Sequence, residues 1–117
     1  MSEIQSAAIT APSVDDPVLD QVVGRLVGTY RPDRIYLFGS TARGDAGPDS
    51  DYDLMIVVPD DASPERRDCD LAYRALRGLG IAKDVLVSTR TNFDKQLHLK
   101  ASFPSTIVRE GKLLYGA

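Results

Sequence analysis

The stretch Arg34–Val58, RIYLFGSTARGDAGPDSDYDLMIVV, decides how this chain is read. Arg34 to Phe38 is a short aromatic and β-branched run closed by Gly39, the pattern of a buried strand. Ser40 to Arg43 follows as a first helical turn with Ser40 as its cap, and Gly44 to Ser50 combines glycine, proline and aspartate in a loop. Asp51 to Val58 is a second strand, apolar almost without interruption after its acidic start, which implies cover on both faces. Side chains alternate across a strand, so Asp51 and Asp53 share a face about 7 Å apart while Tyr52 points away.

Two neighbouring carboxylates repel, and beside an apolar sheet they are costly unless cations offset them. Magnesium takes a few carboxylates, water and substrate phosphates, so a magnesium nucleotide suits the pair. Gly39-Ser40 suits the other half of that ligand. Free amides at a helix start form an anion site, glycine admits close approach of the backbone, and Ser40 adds a hydroxyl. Arg43 either binds phosphate or holds the loop through Asp45 or Asp49. Farther along, Asp84 interrupts the apolar third strand, Ile81 to Val87. If that strand lies beside the second, Asp84 joins Asp51 and Asp53 in a three-carboxylate cluster that can hold two metal ions and keep one carboxylate near an incoming hydroxyl. Taken singly, each has a plainer reading: Ser40 as a helix cap, Asp51 as a strand start, Asp84 as an edge residue.

Around this centre the chain alternates helix and strand. From Asp15 to Tyr30, Val18, Leu19, Val22, Val23, Leu26 and Val27 recur at helical spacing, with Asp15 or Asp16 placed to cap and Pro17 in the first turn. Pro64 to Arg77 is expected as one helix with Leu71, Ala72, Ala75 and Leu76 inward, closed by Gly78 and Gly80; Arg66, Arg67, Arg74 and Arg77 read as a solvated face or a surface for an acidic partner. Asn92 to Leu99 and Phe103 to Arg109 are expected as short helices, and Lys112 to Tyr115 as a closing strand. The fold class is α/β: a small mixed sheet with helices packed against it.

A chain of 117 residues holds one domain and can bury about 65% of its unfolded surface without staples. The boundaries expected are a flexible tail over 1–12 and a folded domain over 13–117. Cys69 and His98 are single residues of their kinds, which excludes an internal disulfide and a structural zinc site and fits a reducing cytoplasm. Cys69, between two aspartates, reads as inert, and His98 as a surface residue. The longest apolar run, Leu54 to Val58, is far short of the roughly 20 residues of a membrane span, and Met1 to Pro12 lacks the features of a secretory signal. A net charge of −3, with 26% charged residues, argues against stable nucleic-acid binding.

Gly39-Ser40-Thr41-Ala42-Arg43-Gly44, a five-residue spacer, and Ser50-Asp51-Tyr52-Asp53-Leu54 together resemble the signature of the nucleotidyltransferase superfamily typified by DNA polymerase β, most of all its minimal nucleotidyltransferase branch. Asp84 matches the third carboxylate of that family in type, strand context and order. The ending Val108 to Tyr115 resembles the closing segment, so the likeness covers roughly Val18 to Tyr115. Tyr52 departs from the usual aliphatic residue on the core side, and Asp45 and Asp49 add negative charge that Arg43 would have to compensate. The resemblance implies that Gly39, Ser40 and Arg43 bind nucleotide, and that Asp51, Asp53 and Asp84 act as catalytic and metal-binding residues for two Mg2+ ions. It also implies ATP as the donor. Its further implication is a partner: a HEPN-domain toxin, typically a ribonuclease, which this chain as antitoxin modifies by transferring AMP to a hydroxyl. Two alternatives stay open, a catalytically weak module that neutralises a partner by contact and an aminoglycoside-type enzyme acting as a dimer. Homo-oligomerisation is open as well.

Overall fold

A computed structural model describes residues 17–39, 52–79 and 83–116. The tail over 1–12, the caps Asp15 and Asp16, Ser40, Arg43, the loop Gly44 to Ser50, Asp51, Gly80 and the first residues of the expected third strand all lie outside the described residues. The elements run α1 (Pro17–Tyr30), β1 (Arg34–Phe38), β2 (Tyr52–Val58), a 3₁₀ turn (Pro64–Arg67), α2 (Asp70–Ala75), β3 (Lys83–Thr89), α3 (Arg90–Asp94), α4 (Phe103–Glu110) and β4 (Lys112–Gly116).

The described strands form one mixed sheet in the order β3-β2-β1-β4. β1 is antiparallel to both β2 and β4, while β2 and β3 are parallel, so the chain between them must cross over one face. α1 and α2 provide that face with its cover. Leu19, Val22, Leu26 and Tyr30 of α1 pack with Ala72 and Leu76 against Ile35, Leu54, Ile56 and Val85. The opposite face carries Tyr36, Met55 and Val57 beneath Phe93 of α3 and Ile107 of α4. The apolar run of β2 is therefore covered on both sides, as its composition requires.

The expected single helix from Pro64 to Arg77 is in fact two pieces, and buried Tyr30 explains the break. Asp68 is extended at φ −103° and ψ 134°. The Tyr30 hydroxyl donates to the Asp68 carbonyl at 2.5 Å and accepts from the Ala72 amide at 2.9 Å, so a side chain from α1 occupies groups that a continuous helix would pair internally. Arg66 corrects a second expectation. It does not belong to a solvated face, because its guanidinium donates to the Tyr30 carbonyl at 2.9 and 2.7 Å and caps the end of α1. Arg25 does the converse for α2, donating to the carbonyls of Ala75 and Arg77 at 3.1 and 3.0 Å. Arg67, Arg74 and Arg77 are exposed.

Later elements shift their bounds. β3 continues through Thr89, two residues past the expected end at Val87, because parallel pairing with β2 extends to Val58↔Thr89. The helix expected from Asn92 to Leu99 starts at Arg90, since the Thr89 side chain caps it by accepting from the Asn92 amide and Asp60 accepts the Thr91 amide and hydroxyl. It ends at Asp94, where the amides of Gln96, Leu97 and Leu99 turn to carbonyls three residues back. At the same end of the sheet Arg34 holds Asp94 with two bonds of 2.9 Å. No helix among the described residues is long and apolar enough to cross a membrane.

Candidate active site

β1 ends at Phe38, and the chain leaves it through Gly39 with φ at +77°, a conformation that disfavours any residue with a β-carbon. The space makes the same demand. A β-carbon on Gly39 would collide with the Asp53 carboxylate, lying 3.2 Å from its Cγ and closer still to Oδ2. The backbone at Gly39 and the side chain of Asp53 are therefore in intimate contact, and glycine is the residue that permits it.

Strand register extends the row. Phe38 pairs with Asp53 across the antiparallel β1 and β2, and Asp53 pairs with Asp84 across the parallel β2 and β3. Residues opposite one another on adjacent strands share a face, with strands about 4.8 Å apart, so Asp53 and Asp84 are side by side. Met55 and Val57 follow Asp53 at a period of two and point beneath α3 and α4, which assigns the acidic pair to that face of the sheet. Asp53 is half-buried and Asp84, on the outermost strand, is exposed. Tyr52 packs with the core under α1 and α2, on the opposite face, where alternation puts it.

The structure thus brings Gly39, Asp53 and Asp84 together. Ser40, Arg43 and Asp51 lie outside the described residues. Adjacent carboxylates are hard oxygen donors of the kind magnesium prefers, and their mutual repulsion favours a divalent cation between them. The residues present fit that ion. A different group, the carboxylates of Asp68 and Asp70 with the Cys69 thiol, has ligand atoms within 4.8 Å of one another at the start of α2. There the Asp68 carboxylate accepts from the Asp70 amide at 3.0 Å, the bond of an Asx turn leading into the helix.

The nucleotidyltransferase domain family matches residues 19–114, and the chain belongs to it. Among its relatives is a candidate protein adenylyltransferase of Methanocaldococcus jannaschii, 31% identical over 103 residues that span 86% of this chain and 98% of that protein. A chain of a toxin–antitoxin crystal structure with AMP-PNP is 25% identical, with a TM-score of 0.57 over 84% of this chain and 73% of that one. A chain from the structure of tri-AMPylated Shewanella oneidensis HEPN toxin in complex with MNT antitoxin shares the fold at a TM-score of 0.53, with 20% identity over 86% of this chain and 71% of that one.

Proposed function

We propose that this nucleotidyltransferase moves AMP from ATP to a hydroxyl group on a partner protein, and that it does so as the antitoxin of a HEPN-domain toxin. The observation that carries the chemistry is the register of Asp53 against Asp84 above the Gly39 backbone. The protein acceptor is supported by the 31% identical relative, and the toxin partner by the likeness to chains from toxin–antitoxin structures.

Asp53 and Asp84, together with Asp51 two positions upstream, are the residues that would hold magnesium. Bound magnesium would supply charge for the phosphate oxygens and for the attacking and leaving oxygens. The chain's own groups account for the rest. Amides at Gly39-Ser40 bind phosphate oxygens, and Arg43 adds a cation to the same end of the nucleotide. Asp84 accepts the proton of the acceptor hydroxyl on a carboxylate oxygen. As that hydroxyl oxygen bonds to the α-phosphorus, the bond from phosphorus to the bridging oxygen breaks and pyrophosphate leaves with the electron pair.

Titration calorimetry with magnesium ATP tests the site directly. The wild type should bind, and Asp51→Asn combined with Asp53→Asn should weaken binding by roughly tenfold or more, since one lost charge-assisted contact is commonly worth about 1.5–3 kcal/mol. Equal affinities in the two proteins would show that the acids do not hold the nucleotide.

A further inference from the structure

The row that contains the two acids begins with an aromatic ring. Phe38, Asp53 and Asp84 occupy consecutive strands at one level of the sheet. Phe103, the first residue of α4, stands perpendicular to Phe38, with ring centroids 5.3 Å apart and planes at 88°. The next residues of α4 that face the protein, Pro104, Ser105 and Ile107, are buried, yet Phe103 keeps 48% of its surface exposed. Its ring is thus braced by Phe38, the residue paired with Asp53, and open on the other side.

Other large apolar residues are exposed, but they differ in kind. Leu86, Leu99, Val108 and Leu113 are aliphatic and offer no π-face, and Tyr73, the other exposed aromatic, belongs to α2 on the opposite face of the sheet, where its hydroxyl accepts from the Val85 amide. Among these six, Phe103 joins an open ring to a direct contact with the row that holds Asp53. A nucleotide's base lies one sugar away from its α-phosphate, and one side chain, Phe38, stands between Asp53 and Phe103.

We propose that Phe103, braced by Phe38, is the seat on which the base of the donor nucleotide stacks. The inference rests on the reading of Gly39, Asp53 and Asp84 as the phosphate and metal end of the site. Stacking on a single phenyl ring tolerates every base and favours the larger purines, because every base has a π-face and purines cover more of the ring. The seat therefore makes this enzyme prefer purine over pyrimidine nucleoside triphosphates without a hydrogen-bonded readout of the base.

The test compares magnesium ATP with magnesium tripolyphosphate, which carries the phosphates without base or sugar. In Phe103→Ala, affinity for ATP should fall roughly tenfold, in line with the loss of one base–aromatic stack, while affinity for tripolyphosphate stays at the wild-type value. The chain contains no tryptophan, so Phe103→Trp introduces a single indole at the proposed seat. That variant should retain ATP affinity, and its fluorescence should be quenched by ATP and not by tripolyphosphate. Unchanged ATP affinity in Phe103→Ala, or equal weakening of both ligands, would overturn the seat while leaving the phosphate end intact. A defect confined to transfer onto a partner protein, with normal ATP binding, would also overturn it and make Phe103 a protein contact. A wild-type protein that binds neither ligand would remove the site reading and this inference with it.

Discussion

At Gly39 two constraints coincide: a φ of +77° and an Asp53 carboxylate filling the volume a β-carbon would need. Gly39→Ala should cost about 1–2 kcal/mol from the left-handed backbone alone, and the clash adds to it. Adding Asp53→Ala should return the part due to the clash and leave the backbone part, so the double-mutant cycle measured by urea unfolding should show a coupling of roughly 0.5 kcal/mol or more. Strict additivity would mean that the two residues do not touch. Asp84 differs in being exposed on the outer strand, so its replacement leaves the fold alone. Asp84→Asn should lower single-turnover transfer by roughly 10²–10⁴-fold, the range for a lost general base, with ATP affinity nearly unchanged. A variant with wild-type transfer would take Asp84 out of the mechanism.

At the scale of elements, α1 and the α2 segment hold each other by their ends. Tyr30 from α1 fills the break before α2, Arg66 caps α1, and Arg25 caps α2. Burial pushes the Tyr30 phenol up to about 12, against an ordinary value of 10.0. The unfolded chain therefore releases this proton near pH 10 while the folded chain keeps it to about pH 12, and the stability owed to Tyr30 falls as pH rises through that window. Tyr30→Phe should lower unfolding free energy near neutral pH by about 1–3 kcal/mol, because the Asp68 carbonyl loses the hydroxyl that donates to it and the Ala72 amide keeps only its bond to the Cys69 carbonyl. It should also lack the Tyr30 part of the alkaline slope. Denaturant titrations of both proteins at pH 7, 10 and 11 give the comparison, and parallel pH profiles would show that this phenol does not titrate differently on folding.

Across the whole molecule, the sheet order decides where chemistry can happen. β3 is the outer strand, so Asp84 meets solvent from a sheet edge while Asp53 sits one strand inward against Gly39. Exposure of Asp84 at the sheet edge suits an acceptor hydroxyl carried by another protein. Orientation by that protein supplies most of the advantage of a bound over a free hydroxyl. With magnesium and labelled ATP, the chain incubated with a HEPN-domain protein of the proposed kind should place label on that protein, and Asp53→Asn should abolish it. Mass spectrometry reads both outcomes. Efficient labelling of a free aminoglycoside by the chain alone would overturn the assignment of a protein acceptor.

Strand identity was written into local order. RIYLF and the run after Asp51 carry β-branched and aromatic residues between breakers, and β1 spans Arg34–Phe38 as expected. Alternation alone also sets Tyr52 apart from Asp53, since successive residues of a strand must face opposite ways. Neighbours in sequence do not specify register with a strand about thirty positions away. Asp84 stands beside Asp53 because the 3₁₀ turn and α2 return the chain parallel to β2, and that crossover depends on Tyr30, Arg66 and Arg25 reaching residues 35 to 52 positions distant. Helical spacing from Pro64 to Arg77 could not reveal the break, because the group that causes it belongs to α1. Phe103 reads in sequence as an ordinary helical residue. Only its packing against Phe38, which unites α4 with the row of acids, sets an open ring at the site.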